Sequence, residues 1–201
     1  MNTLKKTWVW LCRFRKRKGY GVHSPFAYDF IRTVINERGH YYAYDELKPL
    51  RKGVRSLSPI AVDKLLFRLA NFCQPDLSIL IGEGGAMSLK YIQSGCRKVK
   101  CQAYKDTNLF LSGESSQEKA IGLLYLCNTP NYKEVFEKAL SLTAQNSVFV
   151  IDNPYSDNEK KAWWRQLEKD KRLGLTFDLY DVGIILFNPT YSKQHYKVNF
   201  V

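Results

Sequence analysis

The chain has 201 residues and a mass of 23.4 kDa, room for one well-buried core but not for a multi-domain assembly. With 45% apolar, 25% charged and 14% aromatic residues it has the packing material that a disordered chain lacks. Its 31 Lys and Arg against 19 Asp and Glu leave a formal net charge of +12, which bears on polyanionic or membrane-surface partners and not on fold.

The N-terminal stretch runs Lys5-Lys6, then Thr7-Trp8-Val9-Trp10-Leu11-Cys12, then Arg13-Phe14-Arg15-Lys16-Arg17-Lys18. The apolar run is short, holds two tryptophans, lacks a small-residue cleavage site and meets a basic run, so it does not read as a signal peptide. No apolar stretch approaches the roughly 20 residues that span a bilayer. Residues 1–57 read as a basic N-terminal helical extension and 58–201 as an α/β domain. Trp8, Leu11 and Cys12 share helical spacing. The leader therefore either packs on the domain or meets an anionic surface (RNA, ribosome or membrane) through Lys5, Lys6, Arg13, Arg15, Lys16, Arg17 and Lys18, and a protein partner is a further alternative.

Ser24-Pro25 predicts a helix start, with Phe26, Ala27, Phe30, Ile31, Val34 and Ile35 at helical period up to Gly39. The tyrosine-rich segment from His40 to Asp45 reads as a loop leading into the basic stretch Lys48 to Arg55. Ser58-Pro59 opens a second helix with an apolar face of Ala61, Val62, Leu65, Leu66, Leu69 and Phe72. Strands are predicted at Leu77 to Ile81, Val99 to Ala103, Ile121 to Cys127 and Ser147 to Asp152. Helices are predicted from Met87, near Tyr132 to Leu142, and from Asp157 to Lys169. Alternation of this kind indicates a parallel sheet between helical layers. Leu175 to Tyr180, Gly183 to Phe187 and His195 to Phe200 lack intervening helices, so the sheet should end in an antiparallel hairpin. In Trp163-Trp164, adjacent helix positions face different ways, which predicts one indole in the core and the other near the surface.

The five cysteines and three histidines are scattered without metal-ligand or redox spacing. They read as reduced thiols in a cytoplasmic protein with no metal site built from neighbours in sequence. The informative unit is Gly82-Glu83-Gly84-Gly85 between the strand ending at Ile81 and the helix from Met87. A glycine turn there lets a ligand approach the backbone and offers free N–H groups at the positive end of the helix dipole, or it is simply a tight turn. The pattern lacks the later glycine of a dinucleotide fingerprint and the Lys-Ser or Lys-Thr of a P-loop.

Five segments carry a resemblance: Gly19 to Phe26, Tyr41-Tyr42-Ala43, Leu80 to Ser88, Val150 to Asn153, and Phe177 to Phe187. Together they resemble the class I S-adenosylmethionine-dependent methyltransferases, in a small branch with an N-terminal extension. The resemblance implies a Rossmann-like three-layer sandwich, S-adenosylmethionine as cofactor, and vestigial cofactor contacts at Gly82, Glu83, Gly84, Gly85, Ser88 and Asp152. In an active member Asp152 or Tyr155 would face the substrate, whose identity, like the catalytic residues, stays open.

Three departures run against activity. Leu80 stands where the family has an acid two positions before the first glycine, and Ala103-Tyr104, with Asp106 the nearest carboxylate, where it has a ribose-binding acid. Cys127-Asn128-Thr129-Pro130 replaces an expected Asp-Gly pair. Only 17 residues separate Ala103 from Ile121, too few for the family's helix, strand and helix, so the fold should be shortened there. The expectation is a methyltransferase-like binding or scaffold module that has lost the cofactor and catalysis. The alternative is an active methyltransferase with an altered pocket.

Overall fold

The computed structural model describes residues 11–13, 22–51, 58–113 and 120–200. Helix α1 (Pro25–Phe30) starts on Ser24, whose hydroxyl accepts the Ala27 N–H at 3.3 Å, and continues as one π-helical turn, Ile31–Ile35. It stops short of the expected Gly39, and the buried Arg68 guanidinium donates to the last carbonyls of this turn, Val34 and Ile35, at 2.6 and 3.0 Å. The segment expected to be a loop instead opens α2 (Tyr42–Arg51). Its Tyr44 and Leu47, three residues apart, bury against Phe67, Met87 and Tyr91. In α3 (Ile60–Cys73) Ser58 does not cap, because its hydroxyl bonds the Tyr125 hydroxyl at 2.9 Å.

From there the chain alternates β1 (Leu77–Ile81), α4 (Ala86–Gly95), β2 (Lys100–Tyr104), α5 (Thr107–Ser112), β3 (Ile121–Leu126), α6 (Tyr132–Ser141), β4 (Thr143–Asp152) and α7 (Asn158–Leu167). It ends in β5 (Leu175–Asp178), β6 (Val182–Phe187) and β7 (Gln194–Lys197). The described strands form one sheet in the order β2-β1-β3-β4-β6-β5-β7. The first four are mutually parallel, and β6 runs antiparallel to β4 and β5, which is the expected hairpin. The last strand departs from a simple hairpin, since β7 pairs parallel with the outer side of β5. Between β2 and β3 the described residues hold α5 and no strand, and β2 is the sheet edge, which agrees with the shortening predicted from length.

Side chains alternate across the sheet. Leu80, Leu123, Tyr125, Val148 and Val150 pack with α1, α3 and α4, while Ile79, Ile81, Leu124, Phe149 and Ile151 pack with α5, α6 and α7. Both tryptophans of α7 are buried, at 6% and 0% exposure, so the expected split between core and surface does not occur. Trp164 lies against Gly183 of β6, and Trp163 meets the rings of Tyr132 and Phe136 at 4.8 and 5.4 Å between centroids.

Candidate functional site

The chain goes from β1 to β2 on one side and then to β3 on the other, so the order reverses between β1 and β3. In open α/β sheets the crevice beyond the carboxyl ends of two such strands is where ligands bind. Here a cleft of about 630 Å³ occupies it, walled by Gly82 and Glu83 after β1, residues 105–108 after β2, residues 128–132 after β3, and Asp157 and Lys160 of the α7 start. Gly82 has φ of +110°, a conformation side chains rarely adopt, and a Cβ there would stand 2.9 Å from Cys127 Cβ. This glycine lets the ends of β1 and β3 come together as the floor of the cleft.

Of the expected cofactor contacts, Gly82 and Glu83 line the cleft. Gly85 packs on Leu80: a Cβ on it would stand 2.2 Å from Leu80 Cδ1. Ser88 is fully buried and its hydroxyl donates to Asp63 at 2.6 Å, so it is committed to α3. The second oxygen of Asp63 takes a donor from Arg51, whose other nitrogen reaches the Ser58 carbonyl. On the far side of Ser58 the chain of contacts continues through Tyr125, which donates to Asp152 at 3.2 Å, and Lys160, which donates to the Asp152 carbonyl at 2.8 Å. A buried polar row thus joins the end of α2 to the cleft, and Asp152 belongs to it.

Burial sets the proton affinities along this row. It raises the carboxyls of Asp63 and Asp152 above their usual range, although Ser88 and Arg51 oppose it at the first and Lys160 and Tyr125 at the second. Burial also lowers Lys160, with Asp152 opposing, and raises the Cys127 thiol, which leaves it an inert thiol rather than a thiolate. Asn128, Thr129 and Pro130 fall in the segment that stands for the family's Asp-Gly pair, whereas sequence reasoning missed Asn131, Tyr132 and Lys160, because no local motif marks them and only the fold brings them to one cleft.

Of the basic residues expected to meet an anionic surface, Lys5, Lys6, Arg15, Lys16, Arg17 and Lys18 lie outside the described residues. Arg13 turns inward. Both its terminal nitrogens donate to the fully buried Asp178 carboxylate at 3.0 Å, and its guanidinium lies 5.6 Å from the Tyr180 ring centroid. Tyr155, expected near a substrate, donates to the same carboxylate at 2.5 Å.

Glu168, Asp178 and His195 place ligand-capable atoms within 4.8 Å of one another, a grouping invisible in sequence. Arg165 grips Glu168 at 2.7 and 2.8 Å and Arg13 grips Asp178, so each carboxylate already faces a guanidinium.

Comparison with solved structures gives the same architecture. An O-methyltransferase from Bacillus cereus in complex with SAH superposes with a TM-score of 0.52 at 12% identity, over 77% of this chain and 95% of that one. The O-methyltransferase TomG from Streptomyces achromogenes, in complex with SAM, gives 0.53 at 13% identity, over 88% and 98%. A methyltransferase from Geobacter sulfurreducens gives 0.53 at 12% identity, over 76% and 91%. The fold is therefore the methyltransferase fold. No protein-family model matches the sequence, and neither does any curated protein.

Proposed function

We propose that this chain is a methyltransferase-fold binding module that has lost S-adenosylmethionine binding and methyl transfer. The observation that carries the reading is the state of the strand ends. Near the end of β1 the acid position is Leu80, 2% exposed and packed on Gly85. After β2 the nearest carboxylate, Asp106, accepts the Asn108 N–H at 2.9 Å as the cap of α5. Ser88 is spent on Asp63, and Asp152 accepts from Tyr125. A charge-assisted hydrogen bond contributes about 1.5–3 kcal/mol, so two missing partners weaken cofactor binding by about two to four decades. Isothermal titration with S-adenosylmethionine and S-adenosylhomocysteine is expected to show no saturation at micromolar concentrations. Micromolar binding of either would sink the reading.

One observation favours a second reading, an active methyltransferase with an altered pocket and an unidentified substrate: the cleft beside Gly82 and Glu83 is open rather than filled. There Glu83 would hold the cofactor's methionine end, and Glu83→Ala should abolish whatever cofactor binding the titration detects.

A cytoplasmic location is part of the proposal. The five cysteines are free, which supports a reducing, cytoplasmic setting, and no described helix is long and apolar enough to cross a membrane. The basic leader without Arg13 is proposed as the docking element for an anionic surface. Pulldown that resists nuclease and is insensitive to salt would count against an RNA contact.

A further inference from the structure

We infer that the inner end of the cleft binds the phosphoryl group of a small phosphorylated metabolite, held by Lys160 Nζ, the Tyr132 hydroxyl and the open N–H groups of the first turn of α6. This rests on the reading above only in that the cleft is free of a sulfonium cofactor.

Three independent features meet at that end. Lys160 is 1% exposed, yet it lines the cleft, and the protein acceptor of its ammonium is the Asp152 carbonyl. Two of its N–H groups are thus open to a ligand oxygen. Its nitrogen sits 5.6 Å from the Tyr132 ring centroid, which places the start of α6 beside it. The Tyr132 hydroxyl is buried with no hydrogen-bond partner among the described residues, a donor whose desolvation is uncompensated. Finally, α6 is 10 residues long and begins at Asn131, whose side chain does not cap it, so no cap side chain occupies its first N–H groups at the positive end of the dipole.

Lys133 of α6 pairs with Glu159 of α7 at 2.6 Å, which ties the two helix starts together. The nearby carboxylates take hydrogen bonds from other donors, although the charges of Asp152 and Asp157 act on Lys160. Asp157 accepts the Lys160 backbone N–H at 2.7 Å and the Ser156 hydroxyl at 2.6 Å, and Asp106 caps α5. Glu83 stands exposed on the β1 side. An ammonium, a hydroxyl-bearing ring and a helix start that line one cleft offer donors to a tetrahedral anion, whereas a positively charged sulfonium would face the buried ammonium.

The test is titration of the full chain with inorganic phosphate and pyrophosphate in a buffer free of other oxyanions. Tyr132→Phe removes only an unpaired hydroxyl and should fold as well as the wild type, while losing about threefold to tenfold in phosphate affinity. Lys160→Met should lose about tenfold or more. Lys98→Met removes an exposed charge at the opposite end of β2 and should change nothing, which separates the site from general attraction to a basic surface. The inference is overturned if the wild type shows no saturable phosphate binding, or if both cleft variants bind as the wild type does. S-adenosylmethionine binding is scored separately: micromolar affinity for it would overturn the non-catalytic reading and with it the premise that the cleft is free, whereas failure of phosphate binding with no cofactor binding overturns this inference alone.

Discussion

Arg13 reaches Asp178 across 165 positions of the sequence, and the pair shows how one residue can change its meaning between sequence and structure. In the leader it looks like one more surface cation. In the fold its guanidinium meets a carboxylate with no exposed surface, and removing it strands that charge. Arg13→Ala is therefore expected to cost about 3 kcal/mol in urea unfolding, several times the loss from any exposed lysine. Burial alone would push Asp178 up, but the hydrogen bonds and charge of Arg13, with Tyr155 and the Tyr180 N–H, outweigh it and hold the carboxyl below its usual value. Its contribution is thus present above the unfolded pKa near 3.8 and is lost as pH falls through the folded value. His195, whose Nδ1 lies 3.0 Å from the Thr176 hydroxyl, acts in a higher window. Burial lowers its pKa despite Glu168 and Asp178, so the fold prefers the neutral ring. That preference is complete above pH 6.5 and disappears as acid drives the histidine through its folded value. A pH series of urea midpoints should decline below 6.5 in the wild type and flatten there in His195→Gln. An unchanged slope in the variant would show that His195 does not carry the acid sensitivity.

The β6–α7 contact turns on Gly183. A Cβ on it would meet Trp164 at 2.4 Å, and that indole is fully buried. Gly183→Ala is expected to destabilise by about 1–3 kcal/mol through overpacking, and Trp164→Phe added to it should recover part of the loss. If the double variant is simply the sum of two losses, the two residues do not share this contact. The strands and their alternation with helices were legible because Leu77–Ile81 and Ile121–Leu126 are short apolar runs bounded by breakers, a local signal. Helix α2 was not, since Tyr44 and Leu47 acquire a partner surface only when Phe67, Met87 and Tyr91 converge from two other helices. The core-and-surface split expected for Trp163-Trp164 fails for the same reason: the ring that covers Trp163 belongs to Tyr132, at the start of a different helix. At the cleft, the glycine turn announced itself by spacing. Lys160 did not, because Lys160-Lys161 reads as ordinary helix surface until the fold buries the first of the two.

At the scale of the molecule, the boundary drawn at residue 57 separates composition but does not separate the core. Ala27, Phe30, Ile31, Val34 and Ile35 belong to the same apolar layer as Leu123, Val148, Phe177 and Ile184 of the sheet. Polar groups cross the boundary too. Arg68 is 7% exposed and donates to the carbonyls of Val34 and Ile35, and the buried Asp63 takes Arg51 as its counter-ion. Cutting the chain before Ser58 would uncover one face of the sheet, strand the Arg68 guanidinium and leave Asp63 without its cation. Five buried apolar side chains contribute about 1.5–3 kcal/mol each, except for the smaller Ala27, a sum comparable with the whole stability of a domain this size. A fragment of residues 58–201 is therefore expected to show no cooperative urea transition and a weak near-ultraviolet dichroism signal. A sharp transition at the wild-type midpoint would mean that the α/β part folds alone and that the extension is an appendage. The predicted result has a functional consequence: with α1 packed on the sheet and α2 on α3 and α4, the extension cannot swing away to admit a ligand, and the cleft is walled instead by the starts of α5, α6 and α7.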